Sequence, residues 1–219
     1  MMMSDGRNGS NGHAACGACR NASEPFPFSF AFQPVVDVRD GSIFSYEALV
    51  RGPQGEPAPS VLGRVTPENQ YAFDQACRVK ALELASRLGI AVNLDINFLP
   101  NAIYRPEVCI RSTLAAAARL AFPIERIVFE VTEGEHVGDR RKLVEIFREY
   151  SRLGFKTAID DFGAGFAGLG LLAEFQPDIV KIDMALVRGI AQSRPKQAIV
   201  RAVVAMCEEL GIEPIAEGV

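Results

Sequence analysis

The chain has 219 residues, enough for one domain with a sizeable core. Hydrophobic residues make up 48% and charged residues 23%, with a net charge of -4. That balance argues against polymeric nucleic acid as a partner, because such binders need a basic face to displace counterions. No apolar run reaches bilayer length, and the opening MMMSDGRNGSNGHAACGACR lacks the apolar centre of a secretory signal, so a cytoplasmic chain with no membrane insertion is expected. The five cysteines are odd in number and scattered, which fits a reducing compartment.

Residues 1–24 are rich in Gly, Asn, Ser and Ala without periodicity and read as a disordered tail. Cys16, Cys19 and His13 there form half of a zinc motif whose second half is missing, so free thiols are expected. From Phe26 short apolar strands alternate with amphipathic helices, the pattern of an α/β fold with a mostly parallel sheet. Strands are predicted at residues 30–38, 43–51, 91–97, 127–131, 157–161, 179–182 and 214–216. The first two read as a hairpin turning at Asp40-Gly41. A long helix is predicted from Thr66 as N-cap, with Pro67 in its first turn, to a stop at Gly89. Its apolar positions would be Ala72, Cys77, Val79, Leu82 and Leu88. Further helices are predicted at 113–121, 140–153, 167–174 and 195–210. The sum is a TIM-like barrel rather than an open sheet.

In such a barrel, chemistry gathers at the C-terminal ends of the strands. Glu47 lies in the second predicted strand with Arg51 at its end, and Asn97 closes the third. Glu130 is near the end of the fourth with Glu133 beyond it, and Asp160 and Asp161 end the fifth. Lys181 and Asp183 follow the sixth, and Glu217 the seventh. Any one of these alone reads as a cap or a solvated loop charge; His136, in the loop after Glu133, reads that way. Such groups on six of seven predicted strands, interrupting runs such as Ile-Val-Phe-Glu, do not. Converging carboxylates repel unless cations pair with them. All-oxygen ligation suits Mg²⁺ or Mn²⁺, and adjacent Asp160 and Asp161 could serve two ions with one Asp bridging. Asn93, Asp95 and Asn97 share one face of their strand, which leaves Asn97 and Asn93 both open as ligands.

Tyr46-Glu47-Ala48-Leu49-Val50-Arg51 resembles the signature of the EAL domain. The resemblance continues through Phe32-Gln33-Pro34, Ile96-Asn97-Phe98, Phe129-Glu130-Val131-Thr132-Glu133, Asp160-Asp161-Phe162-Gly163, Lys181-Ile182-Asp183 and Ala216-Glu217-Gly218-Val219. It covers about residue 30 to the end of the chain, so residues 25–219 are read as the domain. Ile96-Asn97-Phe98-Leu99-Pro100 is similar to the subgroup found with BLUF domains.

The resemblance implies a phosphodiesterase that hydrolyses cyclic di-GMP to pGpG with two Mg²⁺ or Mn²⁺ ions. It implies Glu47, Asn97, Glu130 and Asp160 at the first ion, and Asp160, Asp161 and Glu217 at the second. Asn97 is favoured over Asn93 on the same ground. Lys181 would orient the attacking water, and Glu133 would brace the loop after the fifth strand; both are candidate catalytic residues. Gln33, Arg51 and Asp183 would contact substrate. It further implies a homodimer, an antiparallel first strand, and a domain that continues past Val219 with a helix, an eighth strand and a last helix. The alternative reading is a regulatory module that binds cyclic di-GMP or a protein without turnover.

Overall fold

A computed structural model describes residues 25–134, 140–165 and 168–219. The predicted tail with His13, Cys16 and Cys19, and also His136 and Ala167, lie outside the described residues. The strands are β1 (Ser29–Val36), β2 (Ile43–Arg51), β3 (Asn93–Asn97), β4 (Ile127–Thr132), β5 (Lys156–Phe162), β6 (Ile179–Ile182) and β7 (Glu213–Ala216). They form one curled seven-stranded sheet in chain order, with β1 antiparallel to β2 and every later pair parallel. The β1–β2 turn is the expected one: Gly41 takes a φ of 75° and the Asp40 carboxylate accepts from Ser42 N at 2.8 Å.

The helices are α1 (Ala58–Leu62), α2 (Gln70–Arg87), α3 (Pro106–Cys109), α4 (Arg111–Leu120), α5 (Arg140–Arg152), α6 (Gly168–Glu174), α7 (Met184–Val187) and α8 (Arg194–Leu210). α1, α3 and α7 were not legible, being one turn or little more. α2 starts later than predicted. Thr66 does not cap it; instead the Asn69 side chain accepts from Thr66 N at 2.8 Å, and residues 67–69 form a turn before the helix. Leu88, assigned to the buried face, lies past the helix end and is exposed.

Side chains alternate across each strand. Ile127, Phe129 and Val131 point outward into the main core with Leu82, Phe147 and Tyr150. Val128, Ala158 and Ile179 point inward and form a small apolar floor with Phe44 and Ile215. Two residues further along the same inner faces come Glu130, Asp160 and Lys181. The interior therefore passes from apolar to ionic within one pleat, towards the C-terminal ends of the strands. That gradient positions the site.

Behind the inner wall, α2 buries Arg78 completely. Its guanidinium pairs with Asp74 at 2.9 Å, donates to Tyr150 Oη at 2.7 Å and stacks 4.8 Å from the Phe129 ring. Asp74 also accepts from Leu99 N at 2.9 Å, which ties α2 to the chain just beyond β3. Between the edge strands β1 and β7 lies a cavity of about 1400 Å³, lined among others by Gln33, Glu47, Lys181, Arg188 and Glu217.

Candidate metal centre

Lys181 sits at the middle of the ionic layer and is 1% exposed. Its Nζ lies 3.1 Å from Glu47, 3.3 Å from Glu130, 3.0 Å from Asp160 and 3.0 Å from Glu217. Burial alone would lower the pKa of this ammonium, but Glu130, Asp160, Glu47 and Glu217 override it and raise it. The carboxylates pay the converse cost. Burial pushes Glu130 well up from its ordinary value despite the pull of Lys181. Glu217 is raised by burial against the pull of Lys181, and Asp161 by burial first and then by Asp160.

One ammonium does not balance this many carboxylates. Glu47, Glu130 and Asp160 each bring an oxygen within 4.8 Å of the others, and so do Asp160, Asp161 and Glu217. The two clusters share Asp160. Glu130 Oε1 is buried with no hydrogen-bond partner, an acceptor that a bound cation would satisfy. The donor set is all oxygen, the preference of hard divalent ions.

Adjacent residues of a regular strand face opposite ways, so Asp160 and Asp161 should not serve one mouth. The backbone resolves this. Asp161 adopts a left-handed φ of 53°, and the β5–β6 register shifts between Ile159 and Phe162. The irregularity turns both carboxylates to the same end, with Asp161 N donating to Asp160 at 2.9 Å. Past it, Glu133 accepts from Gly163 N at 2.7 Å, Gly165 N at 3.1 Å and Gly168 N at 2.7 Å. One side chain thus gathers the loop after β5.

Asn97 and Asn93 separate cleanly. Asn97 Nδ2 donates to Glu47 at 3.1 Å, at the mouth. Asn93 lies at the other end of β3, donating to Phe44 O and accepting from Lys156. Gln33 pairs in register with Glu47 and is exposed into the cavity. Arg51 is half-buried, and one of its guanidinium nitrogens donates to Val50 O at 2.8 Å. Asp183, assigned to substrate, is buried and caps α7, accepting from Ala185 N at 2.8 Å. Sequence reasoning placed Asp95 on the face of Asn97 but gave it no role, and passed over its hydrogen-bonded partner Ser45 and the Asp74–Arg78 pair. Signals existed for both: Asp95 shares the inward parity of Asn97, and Asp74 and Arg78 are an acid–base pair four apart in an apolar stretch.

The chain is 33% identical over 191 residues to the blue light- and temperature-regulated antirepressor BluF of Escherichia coli, covering 87% of this chain and 47% of that protein. It is 30% identical over 201 residues to the cyclic di-GMP phosphodiesterase NbdA of Pseudomonas aeruginosa, covering 86% of this chain and 25% of that one. It thus spans less than half the length of these curated relatives. Among solved structures, a standalone versatile EAL protein from Vibrio cholerae in its c-di-GMP-bound form is 54% identical, with a TM-score of 0.86 over 90% of this chain and 83% of that one. A calcium and cyclic di-GMP complex of Klebsiella pneumoniae BlrP1 is 37% identical, with a TM-score of 0.83 over 89% of this chain and 50% of that one. The family described as the EAL domain matches residues 18–219, and with the ordered series of acidic strand ends now gathered at one mouth, the chain belongs to that family.

Proposed function

We propose that the chain is a phosphodiesterase domain that hydrolyses cyclic di-GMP to pGpG in the cytoplasm with two Mg²⁺ or Mn²⁺ ions. The observation that carries this is the pair of carboxylate clusters joined through Asp160, with Glu130 Oε1 left unpartnered. Glu47, Asn97, Glu130 and Asp160 would hold the first ion, and Asp160, Asp161 and Glu217 the second. When bound, the ions supply charge neutralisation at the phosphate and acidify a water for attack on phosphorus.

The chain's own residues do the rest. Lys181, kept charged by the four carboxylates around it, would direct an ammonium N–H at the attacking water. Glu133, through its three amide contacts, fixes the loop that carries Asp161 to the mouth. Gln33 faces the cavity from β1 and would meet the nucleotide. Arg51 would offer its remaining guanidinium N–H groups to a phosphate oxygen. Asp183 would reach substrate only from its capping position at the start of α7, so its part is to hold that turn beside Asp161. Exposed Leu169 on α6 and Met184 on α7 support a homodimer built on that side.

The test is turnover of cyclic di-GMP by the purified chain with Mn²⁺, followed by chromatography. The expected result is pGpG, abolished by chelator and by Glu47→Ala. Full turnover by Glu47→Ala would remove the assignment. A second reading, control of a partner by contact without turnover, is favoured by the antirepressor description of the Escherichia coli relative. It predicts cyclic di-GMP binding in Ca²⁺ with no product in Mn²⁺.

A further inference from the structure

We propose that Ser45 and Asp95 form a positioning clasp that sets the geometry of the first ion site; this rests on the two-ion reading above. Both residues are fully buried. Ser45 lies two residues before Glu47 on the same face of β2, and Asp95 two residues before Asn97 on the same face of β3. The ladder pairs Glu47 with Asp95. Ser45 Oγ donates to Asp95 Oδ2, linking the two strands through side chains. One pleat higher, Asn97 Nδ2 donates to Glu47 and links them again. Two stacked links therefore fix the separation of the strands that carry two ligands of one ion.

Neither Ser45 nor Asp95 belongs to either carboxylate cluster, and neither lines the cavity. Their role is thus exerted through Glu47 and Asn97. The bland occupant of this depth is apolar, as Val128, Ala158 and Ile179 are. A carboxylate here costs desolvation, and Asp95 Oδ1 has no hydrogen-bond partner at all. Packing alone does not account for such a residue. A clasp that holds ligand positions does, since groups behind metal ligands govern affinity by orienting them.

The discriminating readout is ion selectivity. Mg²⁺ demands near-ideal octahedral geometry, whereas Ca²⁺ accepts flexible coordination. Calorimetry with each ion on the whole chain compares wild type, Ser45→Ala and Ser45→Thr. Ser45→Ala is expected to weaken Mg²⁺ binding about tenfold and Ca²⁺ binding by no more than about threefold. Ser45→Thr keeps the hydroxyl and is expected to restore both. If Ser45→Ala, with its orphaned carboxylate, fails to fold, Ser45→Ala/Asp95→Val removes that carboxylate and is expected to show the same selective loss. Unchanged Mg²⁺ affinity in the folded variant, or equal weakening of both ions, overturns the clasp. Turnover is scored separately. A wild type that cleaves cyclic di-GMP while Ser45→Ala binds both ions normally sinks the clasp alone. Selective Mg²⁺ loss in a protein that never cleaves cyclic di-GMP sinks the phosphodiesterase reading alone.

Discussion

Lys181 touches four carboxylates at 3.0–3.3 Å, and among them burial raises Glu130 and Glu217 above their ordinary values. Asp95, beneath them, is pushed from 3.8 to about 7, chiefly by burial, with Ser45 and Lys181 pulling the other way. In the folded protein it keeps a proton that the unfolded chain has already lost. Fewer protons are bound unfolded than folded between those values, so stability falls as pH rises through that window. The ion-free protein is expected to lose thermal midpoint from about pH 4 to about pH 7, and Asp95→Asn to flatten that slope. A melting profile whose slope is the same in wild type and Asp95→Asn would contradict it. At this scale the acidic strand ends were legible because charge is conspicuous in apolar strands. Parity did not separate Asn97 from Asn93, since both share one face; the place of Asn97 at the strand end and the family resemblance favoured it. Asp183 was given a substrate role by the resemblance alone; its capping of α7 was hidden because that helix is four residues long.

Helix α2 is the element whose sequence and structure differ most. Periodicity gave its existence, but its start moved because Asn69 closes the preceding turn in place of Thr66. Its buried face carries Asp74, Gln75 and Arg78 among apolar residues, so an amphipathic reading of it is incomplete. Arg78 braces the outer side of β4 behind Glu130, by its contact with Phe129. Arg78→Met would leave the Asp74 carboxylate and the Tyr150 hydroxyl buried without this partner, a loss of about 3–5 kcal/mol. Denaturant melts check it, and Arg78→Met/Asp74→Leu should recover part of the loss, incompletely because Leu99 N then loses its acceptor. A single variant as stable as wild type would show the pair to be dispensable. The kink at Asp161 was likewise illegible: a left-handed aspartate has no sequence mark apart from the doubled Asp that needs it.

The whole molecule is a curled sheet whose inner wall turns from apolar to ionic between Val128, Ala158 and Ile179 and their neighbours two residues on. Alternation of strands and helices anticipated that architecture, and the Asp40-Gly41 turn with the family resemblance anticipated the antiparallel β1–β2 pair. What the alternation could not give is how the strand ends converge, because register across six strand pairs is set by packing rather than by any one segment. The proposed homodimer rests on the family resemblance, and exposed Leu169 and Met184 are compatible with it. Light scattering is expected to give a dimer and Leu169→Glu to shift it to monomer, while a wild-type monomer at high concentration would refute that surface. The central claim is that one mouth holds two ions through a shared Asp160. Calorimetric titration of the metal-free chain with Mn²⁺ tests it most directly: the account predicts two ions per chain in wild type and loss of both in Asp160→Asn, whereas saturation of wild type at one ion, or two ions retained by Asp160→Asn, would contradict it.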